Sequence, residues 1–241
     1  MLVCAWLMLA CLGAVGAARA EAGEMAADWN ATARYRYPEG RHGLRTLEAV
    51  VTVPEALPAA VANVAVFVGV AMDPLFRGYA PVAAGTLLLW NGTAWRACVA
   101  HMSSANDYED PFLYWTHVLD AAPGDEVRAT MRLADRSAQA LEYTTAIGAA
   151  HATEHVFLAN NRRISGFLVG VFVPPHTHCA ALEPGQGALC RLQRLVPLWD
   201  TACTGCAWVY DPAPNTGPNE CGASVSPVFA TIPYLQAIFR N

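Results

Sequence analysis

Lysine is missing from this 241-residue chain. All 15 basic residues are arginine, set against 20 acidic ones, for a formal net charge of −5. That balance excludes a basic nucleic-acid binder, because nothing here neutralises a row of phosphates. Charge is scarce overall: 15% of residues are charged and 54% are hydrophobic, where an average soluble domain carries about 25% charge. A long disordered protein is thereby excluded. Long apolar runs are scarce too. After the N-terminus, none reaches the roughly 20 residues that span a bilayer, and no GPI-type tail ends the chain. There is no G-x-S-x-G, no phosphate loop and no H-E-x-x-H. There is also no internal repeat, low-complexity tract or clear linker.

One apolar run does occur, from Leu2 to Gly16, and it carries no charge. Ala18-Arg19-Ala20 and then acidic Glu21 and Glu24 follow it. An apolar stretch that ends in small residues reads as a secretory signal peptide over residues 1–20, cut near Ala20. Cys4 and Cys11 leave with it. Six cysteines remain: Cys98, Cys179, Cys190, Cys203, Cys206 and Cys221. An even number in a secreted chain implies a disulfide framework. Two sequons, Asn30-Ala31-Thr32 and Asn91-Gly92-Thr93, fit the same compartment and mark Asn30 and Asn91 for glycosylation. The mature chain is expected to be secreted or lumenal, with no membrane span.

Residues 21–45 are polar and rich in Arg and Glu, and read as an irregular N-terminal arm. From Thr46 the pattern changes. Short runs of Val, Leu, Phe and Thr alternate with Pro, Gly, Asn and Asp, which is strand punctuation. The predicted strands are Thr46–Val53, Val64–Ala71, Val82–Trp90, Trp95–Met102, Phe112–Leu119, Glu126–Leu133, Ala138–Thr145, Glu154–Leu158, Arg163–Val173, Gly187–Pro197 and Ser226–Ile232. Val64–Val70 and Phe167–Val173 are continuously apolar, as strands covered on both faces are. Asn91-Gly92 between two such runs predicts a type I′ hairpin, whose central residues both need positive φ. Ala121-Ala122-Pro123-Gly124-Asp125 predicts a second turn. The stretch Arg132–Gln139 has room for a helical turn or two. The class is all-β, an antiparallel two-sheet β-sandwich. It forms one domain over residues 46–241, with disulfide-linked loops in 176–221.

Chemistry-bearing residues are thinly spread. His176-x-His178-Cys179 with Cys203-x-x-Cys206 offers tetrahedral zinc ligands, but in an oxidising compartment disulfides are the simpler reading, and no metal or cofactor is expected. Cys203-Thr204-Gly205-Cys206 has the outline of a redox C-x-x-C without the βαβ setting that goes with it. His101, His117, His151 and His155 are scattered. Glu154-His155 is a candidate acid/base pair with no nucleophile beside it. Phe112, Tyr114 and Trp115, with Trp90 and Trp95, are either a ligand platform or ordinary core; Tyr114 and Trp115 are the binding candidates.

Taken in order, these strands resemble the glutamic peptidases, the eqolisin family. The family's Trp-Val-Gly-Leu/Ile strand is matched by Val66-Phe67-Val68-Gly69-Val70. Its Leu-Gln-x-Gly strand is matched by Val82-Ala83-Ala84-Gly85-Thr86, and its Trp-Tyr-Glu-Trp strand by Phe112-Leu113-Tyr114-Trp115. Pro123-Gly124-Asp125-Glu126-Val127 and Leu141-Glu142-Tyr143-Thr144-Thr145 follow in family order. Gly187-Ala188-Leu189-Cys190-Arg191 and Ser226-Pro227-Val228-Phe229 close the series, so the resemblance covers roughly residues 45–232. It implies a secreted acid endopeptidase on a concanavalin A-like jelly roll.

In that family a Glu acts as general base on a water, and a facing Gln helps hold the water and stabilises the oxyanion. Here the Gln position falls on Ala83. The Glu position falls on Leu195, five residues after Cys190, or on Gly166 if the register is set on Ser165-Gly166-Phe167. None of these side chains takes a proton from water. A slipped alignment leaves Gln193 as a polar partner, with Glu183 or Glu154 as base. The expectation is therefore a sandwich without the catalytic pair that binds a protein or glycan. The alternatives are an active acid endopeptidase of the same family and a structural surface or envelope glycoprotein.

Overall fold

The computed structural model describes residues 22–26, 31–36, 44–73, 82–104, 111–135, 140–157, 163–173, 190–199, 209–211, 224–227 and 235–238. Fifteen strands run through them: β1 (Gly23–Ala26), β2 (Ala31–Arg36), β3 (Leu44–Thr52), β4 (Val64–Asp73), β5 (Val82–Trp90), β6 (Trp95–Ser104), β7 (Pro111–Ala121), β8 (Glu126–Asp135), β9 (Ala140–Ile147), β10 (Ala150–Phe157), β11 (Arg163–Phe172), β12 (Cys190–Trp199), β13 (Val209–Asp211), β14 (Ser224–Pro227) and β15 (Leu235–Ile238). They form two antiparallel sheets. The larger has the order β1-β7-β6-β5-β4-β11-β2-β13, and the smaller β10-β9-β8-β3-β12-β15-β14.

The two-residue side-chain period of a strand decides the packing. In β3, Leu47, Ala49 and Val51 enter the cluster between the sheets, where they meet Val64, Val66, Val68 and Val70 of β4 and Phe167, Val169 and Val171 of β11. The same strands of the larger sheet send their alternate residues to its outer face. There Ala65, Phe67, Ala83, Leu87, Cys98, Ala100, Met102 and Leu113 form a second buried apolar cluster. This is why β4 reads as an unbroken apolar run: it is covered on both sides. A polar crossing runs through the cluster between the sheets. Thr145 Oγ1 donates to the Cys98 carbonyl at 3.2 Å. A hydroxyl has one proton to give, so Thr86 Oγ1 is the donor across the 2.7 Å contact to Thr145 Oγ1.

Most predicted strands from Thr46 onward are present, with ends shifted by a few residues. The arm is a correction. Gly23–Ala26 pairs with β7 at the edge of the larger sheet, and Ala31–Arg36 lies between β11 and β13, so half of the supposedly irregular segment adds strands to that sheet. The signal lay in Ala31-Thr32-Ala33-Arg34-Tyr35-Arg36, which alternates with the two-residue period of a strand. Arg132 to Asp135 is strand and not helix. Of the predicted terminal run, Ser226 and Pro227 fall in β14 and residues 228–232 lie outside the described residues; β14 pairs with the unforeseen β15.

The Asn91-Gly92 hairpin forms, although not as a type I′ turn. Gly92 has φ +93°, but Asn91 is not among the residues with positive φ. A four-residue loop is used instead. Asn91 Oδ1 accepts hydrogen bonds from Thr93 N at 3.0 Å, Thr93 Oγ1 at 2.9 Å and Ala94 N at 2.9 Å. That local side-chain capping replaces the second positive φ. Trp90 and Trp95 flank the loop with ring centroids 5.6 Å apart. Their indoles donate to the carbonyls of Val61 and Glu55. Both are buried in the cluster between the sheets, so these two aromatics are core and not a platform.

Candidate functional site

Two places bear on function, and they lie on opposite faces of the larger sheet. The first is the outer face around β11, β4 and β5. Gly69 of β4 stands directly opposite Gly85 of β5. A Cβ on Gly85 would strike the Val68 carbonyl oxygen, and one on Gly69 would lie 2.7 Å from Phe67 Cζ and closer still to the Ala84 carbonyl. Only glycine allows the two backbones to approach this closely under the Phe67 ring. Two residues along, Gly166 of β11 is in register with Ala71 of β4, and Ala71 with Ala83 of β5. The row continues through Met102 and Leu113. Ala83 is 2% exposed, Met102 6% and Leu113 0%. These three side chains are aliphatic and buried.

Leu195 is elsewhere. It stands on β12 of the smaller sheet, opposite Ala49. Gln193 is on the same strand, where the register skips between Leu192 and Arg194. Neither shares a sheet with Ala83. Glu183 lies outside the described residues, as do residues 1–20, Asn30, Cys179, Cys203, Cys206 and Cys221. Cys190 begins β12, opposite Ala237. Cys98 is a thiol buried in the outer cluster, opposite Leu87 and Val118. That departs from the expected bridge at this position; in such surroundings a thiol packs as a small hydrophobe.

The second place is the edge where β10 of the smaller sheet meets β7 and β6 of the larger. β7 carries a bulge: Cys98 pairs with Val118 but Val99 with Thr116, which leaves His117 unpaired. His117 takes φ +51°, a left-handed conformation uncommon outside glycine. The bulge aims Thr116 and His117 at one carboxylate. Glu154 Oε1 is 2.9 Å from His117 Nε2 and accepts from Thr116 Oγ1 at 3.1 Å. Next to it, Tyr143 Oη lies 3.4 Å from His101 Nδ1, and the His101 ring stacks on Tyr114 at 5.5 Å. Burial pushes His101 below its ordinary value, opposed by the Glu154 charge. Burial, helped by Glu154, drives the Tyr143 phenol well above its own. At neutral pH the imidazole is therefore held neutral and the phenol protonated, and the imidazole tautomer sets which of the two donates.

The structure thus separates the pair expected from the sequence. Glu154 and His155 are neighbours on one strand and point to opposite faces. His155 Nε2 reaches Glu142 Oε2 at 3.3 Å on the outer side, where Arg132 also binds Glu142 at 2.7 Å. Tyr114 and Trp115 part in the same way: Tyr114 meets His101, while Trp115 packs over Gly23 and against the outer cluster. The grouping of Glu154 with His117 was missed because no sequence signal marks the bulge. Among the described residues no three His, Cys, Asp or Glu side chains gather as a metal site. A cleft of about 430 Å³ opens on the outside of the smaller sheet beside Val50, Glu126, Arg128 and Ala146. It holds none of the sequence candidates.

No family model matches the chain, and no curated protein matches it in sequence. Solved structures do match in shape. A scytalido-glutamic peptidase bound to a peptide-based transition-state analogue has a TM-score of 0.50 at 10% identity, over 87% of this chain and 98% of that one. A second structure of scytalido-glutamic peptidase, with a transition-state analogue inhibitor, scores 0.49 at 10% identity, over 90% of this chain and all of that one. SCP-B, a member of the eqolisin family bound to the tripeptide Ala-Ile-His, scores 0.49 at 11% identity, with 90% and 100% coverage. The two antiparallel sheets have the eqolisin fold.

Proposed function

We propose that this chain is a secreted, glycosylated β-sandwich of the glutamic-peptidase type that lacks the catalytic Gln/Glu pair and works by binding a protein or glycan. One observation carries the reading: Gly166, Ala71 and Ala83 form a single row across β11, β4 and β5. The motif glycines that anchor the resemblance, Gly69 and Gly85, are opposite each other two residues away. Of the two registers for the missing Glu, this favours Gly166 over Leu195, because only Gly166 shares a sheet and a row with Ala83. A methyl group and a hydrogen atom then stand where hydrolysis needs an amide and an acid. Losing one preorganised oxyanion donor typically costs about 10²–10³ in rate, and loss of the base removes the water-activating step as well. Glu154 does not rescue it. Its carboxylate is engaged on the other side of the larger sheet, by Thr116 and His117.

Binding then falls to loops and edges on a rigid scaffold. Exposed Asn91, at the tip of the β5–β6 loop, is the described residue available for a glycan. The purified secreted chain is incubated with denatured protein at acidic pH. No cleavage is expected. Cleavage abolished by a single Glu→Gln change would overturn the reading. Endoglycosidase treatment is expected to lower the apparent mass, and an Asn91→Gln variant to lack part of that shift.

A further inference from the structure

We infer that the open edge of β10 is a self-recognition surface, on which a second copy of this chain adds its own β10 antiparallel about a twofold axis at Thr153. Each sheet ends on two strands. Among the described residues three of those four ends are short: β1 and β14 have 4 residues each and β13 has 3. Short end strands are one way that proteins keep sheets from joining edge to edge. β10 instead has 8 residues in unbroken register with β9. It holds no Pro, Lys or Arg, and no described strand lies beyond it. Its carboxylate, Glu154, points inward, which is another common guard on an edge. Here that charge is already engaged by Thr116 and His117 of β7.

The turn fixes which backbone groups face the open edge. Gly148 and Ala149 join Ile147 to Ala150, and a two-residue turn closes on a hydrogen-bonded pair. Hydrogen-bonded and non-hydrogen-bonded pairs alternate from there. Ala152, Glu154 and Val156 therefore bond to β9, while His151, Thr153 and His155 turn N–H and C=O outward. The Thr144 and Thr153 hydroxyls are 2.8 Å apart, which agrees with a non-hydrogen-bonded pair, where side chains are closer.

The strand is nearly palindromic about Thr153. A twofold axis there sets Thr153 against Thr153 of the second copy, His151 against His155, Ala152 against Glu154 and Ala150 against Val156. Every outward N–H and C=O of His151, Thr153 and His155 then finds a partner. Glu154 meets an alanine and keeps its own His117; an axis one residue along would oppose two carboxylates. Thr130, Thr144 and Thr153 already form one cross-strand row, which the second copy continues. Thr–Thr and aromatic pairs across strands are favourable. A twofold contact requires a patch that matches itself, and this match selects a second copy over an unrelated peptide.

The test is sedimentation velocity on the whole chain near neutral pH, over a concentration series. The mass is expected to move from one chain toward two. Thr153→Lys sets two ammonium groups on the axis from an exposed position and is expected to stay monomeric throughout. A wild-type monomer at every concentration overturns the proposal, as does a dimer that the variant forms equally well. If the variant does not fold, amide exchange on the wild type decides. The His151, Thr153 and His155 amides are expected to gain protection severalfold on concentration, and no gain overturns the proposal. A chain that stays monomeric but takes an extended peptide of unrelated sequence on β10 assigns the edge to another partner and overturns it too. None of these readouts depends on whether the chain cleaves peptides.

Discussion

The two faces of the larger sheet handle their polar groups in opposite ways. On the outer face, the row from Gly166 through Ala71 and Ala83 to Met102 and Leu113 carries no titratable side chain. On the inner face, where β7 and β6 meet β10, two histidines, two tyrosines, a threonine and a glutamate converge. The resemblance to glutamic peptidases directs attention to the first face, and the acid/base groups sit at the second. Strand order is thus a guide to architecture, and chemistry has to be argued from the site itself.

The comparison can be broken most severely from the apolar side. Phe67 is fully buried on the outer face, and Phe67→Ala is expected to cost about 3–5 kcal/mol by chemical denaturation; a cost under about 1 kcal/mol would mean that this face is not packed. Next comes Gly85→Ala. Its new Cβ meets the Val68 carbonyl, a backbone atom that cannot swing aside, so a loss of about 1–3 kcal/mol is expected. Thr145→Val removes the hydroxyl that links Thr86 to the Cys98 carbonyl. It leaves Thr86 buried without that acceptor, and about 1–3 kcal/mol should again be lost. Glu154→Gln at the polar edge is the mildest. Its partners are partly exposed, and under about 1 kcal/mol is expected at neutral pH. A loss as large as that of Phe67→Ala would show that the polar edge, and not the apolar face, dominates stability.

Much of the scaffold was legible because burial on both faces and turn chemistry leave marks in the residues. Val64–Val70 is apolar throughout since it is covered twice, and Gly124 with φ +85° sits in the predicted turn after β7. The arm was misread because β2 holds few apolar residues, and its Arg and Thr passed for coil. The polar edge was invisible for a different reason. His101, His117, Tyr143 and Glu154 come from four strands of two sheets, and only the bulge at His117 brings Glu154 within reach. The outer row was half legible. That Gly166 lies in the same sheet as Ala83 and Leu195 does not was not legible, since it depends on which of β11 and β12 joins the sheet that holds β5.

That choice also gives the most direct test of the central claim. Ala83→Gln is combined with Gly166→Glu in one chain and with Leu195→Glu in another, and each is assayed for cleavage of denatured protein at acidic pH beside the unsubstituted chain. The unsubstituted chain and the Leu195 combination are expected to be inert, and the Gly166 combination to regain measurable hydrolysis. Cleavage by the unsubstituted chain, or recovery only in the Leu195 combination, would contradict the account.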